Sequence, residues 1–233
     1  MDLSQAILLT MPLLMIDLDN TLVDRDAAFR EAGSVFLAEH ALPVDDLAWL
    51  MSVDASGYTP RQDVARALTE RYAAAVSGAA VRDFLDRGAA DRVVLAGATR
   101  DALARAVDAG WTCVIVTNGR VEQQETKIRG TGLDEIVHGW VVSEAVGCKK
   151  PAPEIFRAAA AAVGASLRGA WVIGDSPHAD IGGANGLDDV RSVWVSGGRP
   201  WTDATCRPTH ITADAAAALD HVVGEHRGSG DHY

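Results

Sequence analysis

Chemistry is first legible at Asp17-Leu18-Asp19-Asn20-Thr21-Leu22, where two carboxylates stand at i and i+2 directly after an apolar run. Two acidic groups this close cannot cheaply both be charged unless a cation is present or one keeps its proton. The pair therefore suits a metal site, or a nucleophile beside an acid. Equally, Asp and Asn are common in solvated turns and helix caps. Thr117-Asn118-Gly119 closes another apolar run. A hydroxyl, an amide and backbone N–H groups at such a junction can hold an anion's oxygens, or simply cap the helix that follows. Lys150 lies in Gly147-Cys148-Lys149-Lys150-Pro151-Ala152-Pro153, in a chain whose 21 basic residues include only the lysines Lys127, Lys149 and Lys150. It can neutralise a phosphate and one of the carboxylates, whereas Lys149 reads as a solvated loop charge. The fourth segment, Gly174-Asp175-Ser176-Pro177-His178-Ala179-Asp180, again follows an apolar run. Asp175 and Asp180 can face one sheet end, where hard carboxylate oxygens suit Mg²⁺, or can cap the next helix. Taken singly each bland alternative is respectable; four such segments, each after a strand-like run, make coincidence a poor explanation.

The elements that must position these groups follow from periodicity. Trp111–Thr117 is too continuously apolar for a half-exposed strand, and Ala170–Ile173 and Val190–Val195 have the same character. Such runs predict strands covered on both faces. Leu13–Asp17 supplies a further strand, the end of an apolar stretch that begins at Ala6. Helical patterns near Thr99–Ala109, Arg120–Gly130, Pro153–Val163 and His178–Asn185 alternate with the strands. That succession predicts βαβ units and a Rossmann-like parallel sheet, an α/β fold. In such sheets ligands bind at the carboxyl ends of the strands. From about Asp26 to Asp91 long β-branched runs are lacking and Pro43 and Ser56-Gly57-Tyr58-Thr59-Pro60 punctuate helical stretches. The expected organisation is a catalytic core of residues 1–24 and 92–233 with a helical insertion, 25–91, after the first strand. Gly224–Tyr233 is polar and Gly-rich and is expected to fray.

Composition narrows the partners. With 233 residues, 48% apolar, the chain can bury an ordinary core, and its formal net charge is −11. That field repels nucleic acid, and no basic run offers a local exception. A small anion is still admitted, because a dication and one or two local cations can reverse the sign inside a pocket. Cys113, Cys148 and Cys206 are far apart and without metal-ligand spacing, which suggests reduced thiols in the cytoplasm. The Ala6–Ile16 stretch lacks a basic leader, is too short to span a bilayer and runs straight into Asp17, so no membrane is expected. Oligomeric state is not readable. Five arginines between Arg61 and Arg87 read as a solvated helix face, whereas Arg25 and Asp26, just past the first motif, are better placed to enter a pocket.

With DLDNTL (17–22), TNG (117–119), GCKKPAPEIF (147–156) and GDSPHADIGGA (174–184) in this order, the sequence resembles the haloacid dehalogenase superfamily of phosphotransferases. The resemblance runs from about Leu13 to Val195 and implies that the insertion is the family's small helical cap. It also implies roles. Asp17 would be the nucleophile, and Asp19 the general acid and then the general base. Mg²⁺ would be held by Asp17, the Asp19 main-chain carbonyl and Asp175, with Asp180 supporting the metal's water shell or orienting Lys150. Thr117, the Asn118 N–H and Lys150 would stabilise the transferring phosphoryl group. Small departures are Ala152, where many relatives have Asp, and Ala179, where Asn is frequent. The family's namesake dehalogenases lack the second aspartate, so Asp19 favours phosphate ester chemistry. The implied function is Mg²⁺-dependent hydrolysis of a small phosphorylated metabolite through an aspartyl phosphate. A phosphomutase of the same family, or a non-catalytic phospho-ligand module, is the alternative.

Overall fold

In the computed structural model the described residues are 11–228, with side chains described to 225; residues 6–10 of the expected first strand and 229–233 of the expected frayed end lie outside them. The strands are β1 (Leu13–Ile16), β2 (Thr112–Thr117), β3 (Gly139–Val142), β4 (Trp171–Gly174), β5 (Arg191–Val195) and β6 (His210–Thr212). The helices are α1 (Arg25–Glu39), α2 (Asp46–Asp54), α3 (Arg61–Tyr72), α4 (Gly78–Arg87), α5 (Gly97–Asp108), α6 (Val121–Gly130), α7 (Ser143–Val146), α8 (Pro153–Ala162), α9 (Gly183–Asn185) and α10 (Ala215–Gly228).

All five strand pairings are parallel, in the order β3-β2-β1-β4-β5-β6. The chain leaves β1 in one direction across the sheet and later returns to pair β4 on its other side. This makes the gap between the ends of β1 and β4 a topological switch point, the crevice where open α/β sheets bind ligands. Strand side chains alternate between faces. Leu13, Met15, Val114, Val116 and Val172 therefore pack with Ile155, Phe156 and Ala159 of α8, while α5 and α10 pack together over the opposite face. Helices on both faces explain why β1, β2 and β4 are buried along their whole length.

Two strands, β3 and β6, and two helices, α7 and α10, have no counterpart in the sequence expectation. β3 and β6 are the two edge strands and are short and partly exposed, so they carry no continuous apolar run. Residues 224–228, expected to fray, continue α10; its Ala218, Leu219 and Val222 are fully buried and hold the helix on the sheet unit. The expected 178–185 helix is instead a wide π-helical turn, Pro177–Gly182, running into the short α9.

By its contacts the chain divides into this sheet unit and a second one, Val23–Val94 with Glu122–Thr131, so that α6 packs with the second. The second unit is helical and has its own core around Phe29, Phe36, Leu50, Leu68 and Phe84. Phe36 stacks on Phe84 with centroids 4.5 Å apart. The Gln123 amide of α6 donates to the Leu85 and Asp86 carbonyls at 3.1 and 2.6 Å.

Candidate active site

Asp17 is the first residue beyond β1, and its N–H donates to the Ile173 carbonyl of β4 at 2.9 Å. The chain then turns, with Leu22 N bonded to Leu18 O and Asn20 in the left-handed region at φ 59°. Asn tolerates that conformation better than most residues. Asp19 sits half-buried in this turn. Asp175 follows β4 directly and is buried.

Lys150 is the centre of the arrangement. Its ammonium is buried and donates to Asp17 Oδ1 at 2.6 Å, Asp180 Oδ1 at 2.7 Å and the Val116 carbonyl at 2.7 Å, so all three of its protons are used. Its main chain is clamped as well: Lys150 N donates to Asn118 Oδ1 at 2.8 Å, and Asn118 Nδ2 donates to Lys150 O at 3.0 Å. The Asn118 side chain thus ties the end of β2 to the loop before α8. Thr117 is buried at the last position of β2. Lys149, by contrast, is exposed.

Asp180 is held from its other side by Ser176 N, which donates to Oδ2 at 3.0 Å. The fit requires glycine at 174, because a Cβ there would lie 2.2 Å from Asp180 Cγ. One oxygen each of Asp17, Asp175 and Asp180 lies within 4.8 Å of the others. Hard oxygen donors of this kind suit Mg²⁺, which takes one or two carboxylate ligands and keeps several waters.

Three carboxylates against one buried ammonium leave negative charge in excess. Burial pushes the Asp17 carboxyl up to about 8; Lys150 pulls it back, and Asp180 and Asp175 push it further. Burial likewise raises Asp175 to about 7, with Asp180 adding to the shift and Arg199 opposing it. For Lys150 burial works against the charge, but Asp17 and Asp180 outweigh it and hold the ammonium above its ordinary value. A dication would offset this excess of negative charge.

Three contributors escape sequence reasoning. Ser143, at the start of α7, accepts from Gly119 N at 3.0 Å. Ser176 caps the turn at Ala179 N besides fixing Asp180. Arg199, in the loop after β5, donates to Asp175 Oδ2 at 3.2 Å and to Asp175 O at 3.0 Å. Two of them left a sequence trace: Ser176 lies inside the GDSPHADIGGA motif, and Arg199 is a cation shortly after the apolar VRSVWV run. Within the helical unit the Arg25 guanidinium is engaged by Asp54, at 2.7 Å from Oδ1, and by Asp26 at 3.2 Å, and it lies over the Phe29 ring. Asp54 is itself buried and accepts from Gly57 N, so this pairing builds the unit's own core. Cys113, Cys148 and Cys206 are free thiols. Among the described residues no helix is long and apolar enough to cross a membrane.

Residues 11–188 match the family model of haloacid dehalogenase-like hydrolases. A glyceraldehyde 3-phosphate phosphatase of Pyrococcus abyssi is 29% identical over 197 residues, which span 80% of this chain and 82% of that protein. A phosphoserine phosphatase of Thermus thermophilus is 37% identical over 106 residues, 46% of this chain and 42% of that protein. Among solved structures, one assigned as a HAD-hydrolase, YfnB of Bacillus subtilis with bound magnesium, superposes with a TM-score of 0.74 at 25% identity, covering 91% of this chain and 98% of that one.

Proposed function

The chain belongs to the haloacid dehalogenase-like hydrolases, and from that footing we propose that it hydrolyses a small phosphomonoester with Asp17 as nucleophile and Mg²⁺ as cofactor. The observation that carries the proposal is the buried Lys150 ammonium bonded to both Asp17 and Asp180, with Asp175 alongside, at the switch point of the sheet. The phosphatase names of the two curated relatives support the reaction class, and both act on small phosphorylated metabolites by those names.

Asp17, Asp175 and the Asp19 carbonyl would hold the dication, which when bound supplies the positive charge that keeps the buried carboxyls ionised near neutrality and offsets the phosphate's charge. Every other part falls to the protein's own groups. An Asp17 oxygen attacks phosphorus as the ester P–O bond breaks, and Asp19 delivers its proton to the departing oxygen. Asp19, now a carboxylate, takes a proton from the water that attacks phosphorus of the aspartyl phosphate, and inorganic phosphate leaves as Asp17 is restored. Lys150, the Thr117 hydroxyl and the Asn118 N–H stabilise the phosphoryl oxygens, and phosphoryl transfer draws most of its acceleration from such positioned charge. Asn118 spends its side chain on clamping the main chain of Lys150. Asp180 orients Lys150 in this scheme. The helical unit, inserted directly after β1, stands where the family carries its cap, and we assign substrate choice to it.

The test is phosphate release from sugar phosphates, phosphoserine, triose phosphates and an aryl phosphate, with Mg²⁺ and with chelator, by the wild type and by Asp17→Asn. Release that needs Mg²⁺ and is lost in Asp17→Asn is the expected result. Full turnover in the presence of chelator, or by Asp17→Asn, would sink the assignment. Asp19→Asn should slow sugar phosphates more than aryl phosphates, because only poor leaving groups need the acid.

A further inference from the structure

We infer that Arg199 is a positioning residue that sets the protein's preference for Mg²⁺ over Ca²⁺ through its grip on Asp175, an inference that rests on the cation site proposed above. Arg199 approaches Asp175 at two points, donating to the carboxylate Oδ2 at 3.2 Å and to the main-chain carbonyl at 3.0 Å. The guanidinium is itself anchored: its Nε donates to the Ser196 carbonyl at 2.9 Å, and its Cζ lies over the Trp194 ring, 5.5 Å from the centroid. Trp194 is buried in β5 and its indole N–H donates to the same Asp175 carbonyl at 2.8 Å. Asp175 is thus fixed at its backbone by two donors and at its carboxylate by one, all delivered from β5 and the loop beyond it.

One Asp175 oxygen is therefore occupied by Arg199, and Oδ1 is left to face a cation. Mg²⁺ asks for one oxygen from each carboxylate in an octahedral shell, whereas Ca²⁺, larger and with six to eight ligands, readily takes both oxygens of a carboxylate. Holding Oδ2 on a guanidinium makes Asp175 a one-oxygen ligand and withholds the second oxygen that Ca²⁺ would use. Arg suits this role better than Lys, because its planar guanidinium is anchored by Nε on the Ser196 carbonyl while Nη2 is presented to Asp175 in fixed geometry. Charge alone cannot account for such a preference. A cation beside the site weakens both dications alike, since they carry the same charge, and a general loosening of the loop also weakens both.

The ratio of the two affinities is accordingly the readout. Mg²⁺ and Ca²⁺ are titrated calorimetrically into metal-free, substrate-free wild type, Arg199→Met and Arg199→Lys, with circular dichroism to confirm the fold and Asp175→Asn as a control. The expected result is that the wild type's Kd(Ca)/Kd(Mg) falls by about tenfold in Arg199→Met, the scale on which groups holding metal ligands act. Arg199→Lys keeps the charge without the fork and shifts the ratio in the same direction, which also covers the case of a poorly folding Met variant. An unchanged ratio in the folded variants overturns the role of Arg199 while leaving the cation site standing, provided Asp175→Asn abolishes Mg²⁺ binding. Mg²⁺ binding that survives Asp175→Asn undamaged overturns the site itself, and this inference with it.

Discussion

Replacing Lys150 by Met removes one charge and keeps the length of the side chain, so it tests the centre of the arrangement with little change of volume. The ammonium lost makes three bonds of 2.6–2.7 Å, two of them to buried carboxylates. Breaking the buried pair with Asp180 from one side leaves uncompensated charge and costs about 3–5 kcal/mol. For a chain of this size that corresponds to a fall in Tm of about 10 °C. The pH dependence has a definite sign. In the metal-free wild type Asp17 keeps its proton up to about 8, far above its ordinary value of 3.8. Between those values the folded protein holds a proton that the unfolded chain has released, so stability declines as pH rises through that window. Lys150 lowers the Asp17 value, so its removal raises that value further, and the gap between variant and wild type should widen above about pH 8. Urea unfolding with chelator at pH 5, 7 and 9 measures both effects. In the presence of Mg²⁺ the same variant should lose about 10²–10³-fold in kcat, as removal of a positioned charge does elsewhere. A gap below about 1 kcal/mol at pH 7, the scale of an exposed pair, would show that the ammonium does not form a buried ion pair with Asp180.

Two further outcomes are expected. Gly174→Ala places a Cβ 2.2 Å from Asp180 Cγ and Oδ2. It should destabilise the protein by about 1–3 kcal/mol, as overpacking does, and lower phosphatase turnover by dislodging Asp180 from Lys150; urea unfolding at wild-type concentrations would contradict this. In the sheet unit His221 of α10 stacks on His210 of β6 with centroids 3.7 Å apart and meets Trp171 edge-on. Burial, and then His210, depress its pKa below 6.5, with Arg191 acting in the same direction and Glu225 against. The folded state therefore resists a proton the unfolded chain accepts, and stability should fall as pH drops below about 6.5. Tm measured between pH 7.5 and 5 should decline less steeply in His221→Gln, and parallel curves would refute the pairing.

What the sequence determined by itself was the set of chemical groups and the strands that carry them. Apolar runs buried on both faces are continuous in sequence, so β1, β2, β4 and β5 announce themselves, and the polar residues at their ends are contiguous motifs. The edge strands β3 and β6 had no such run, because an edge need not be apolar throughout. Which side chains meet is decided by strand order. The placement of β1 between β2 and β4 brings Lys150 to Asp17 across 133 residues of chain and to Asp180 across 30. The same order sets Arg199, from the loop after β5, on Asp175 after β4. No periodicity encodes such meetings, because each depends on the pairing of distant backbone and not on spacing. The Asn118 amide shows the difference most clearly. Its type and position suggested an anion's ligand or a helix cap, and its side chain instead clamps the main chain of Lys150. Burial adds the last element, since only a closed tertiary structure removes water from around Asp17 and so makes its ionisation depend on Lys150 and the neighbouring carboxylates.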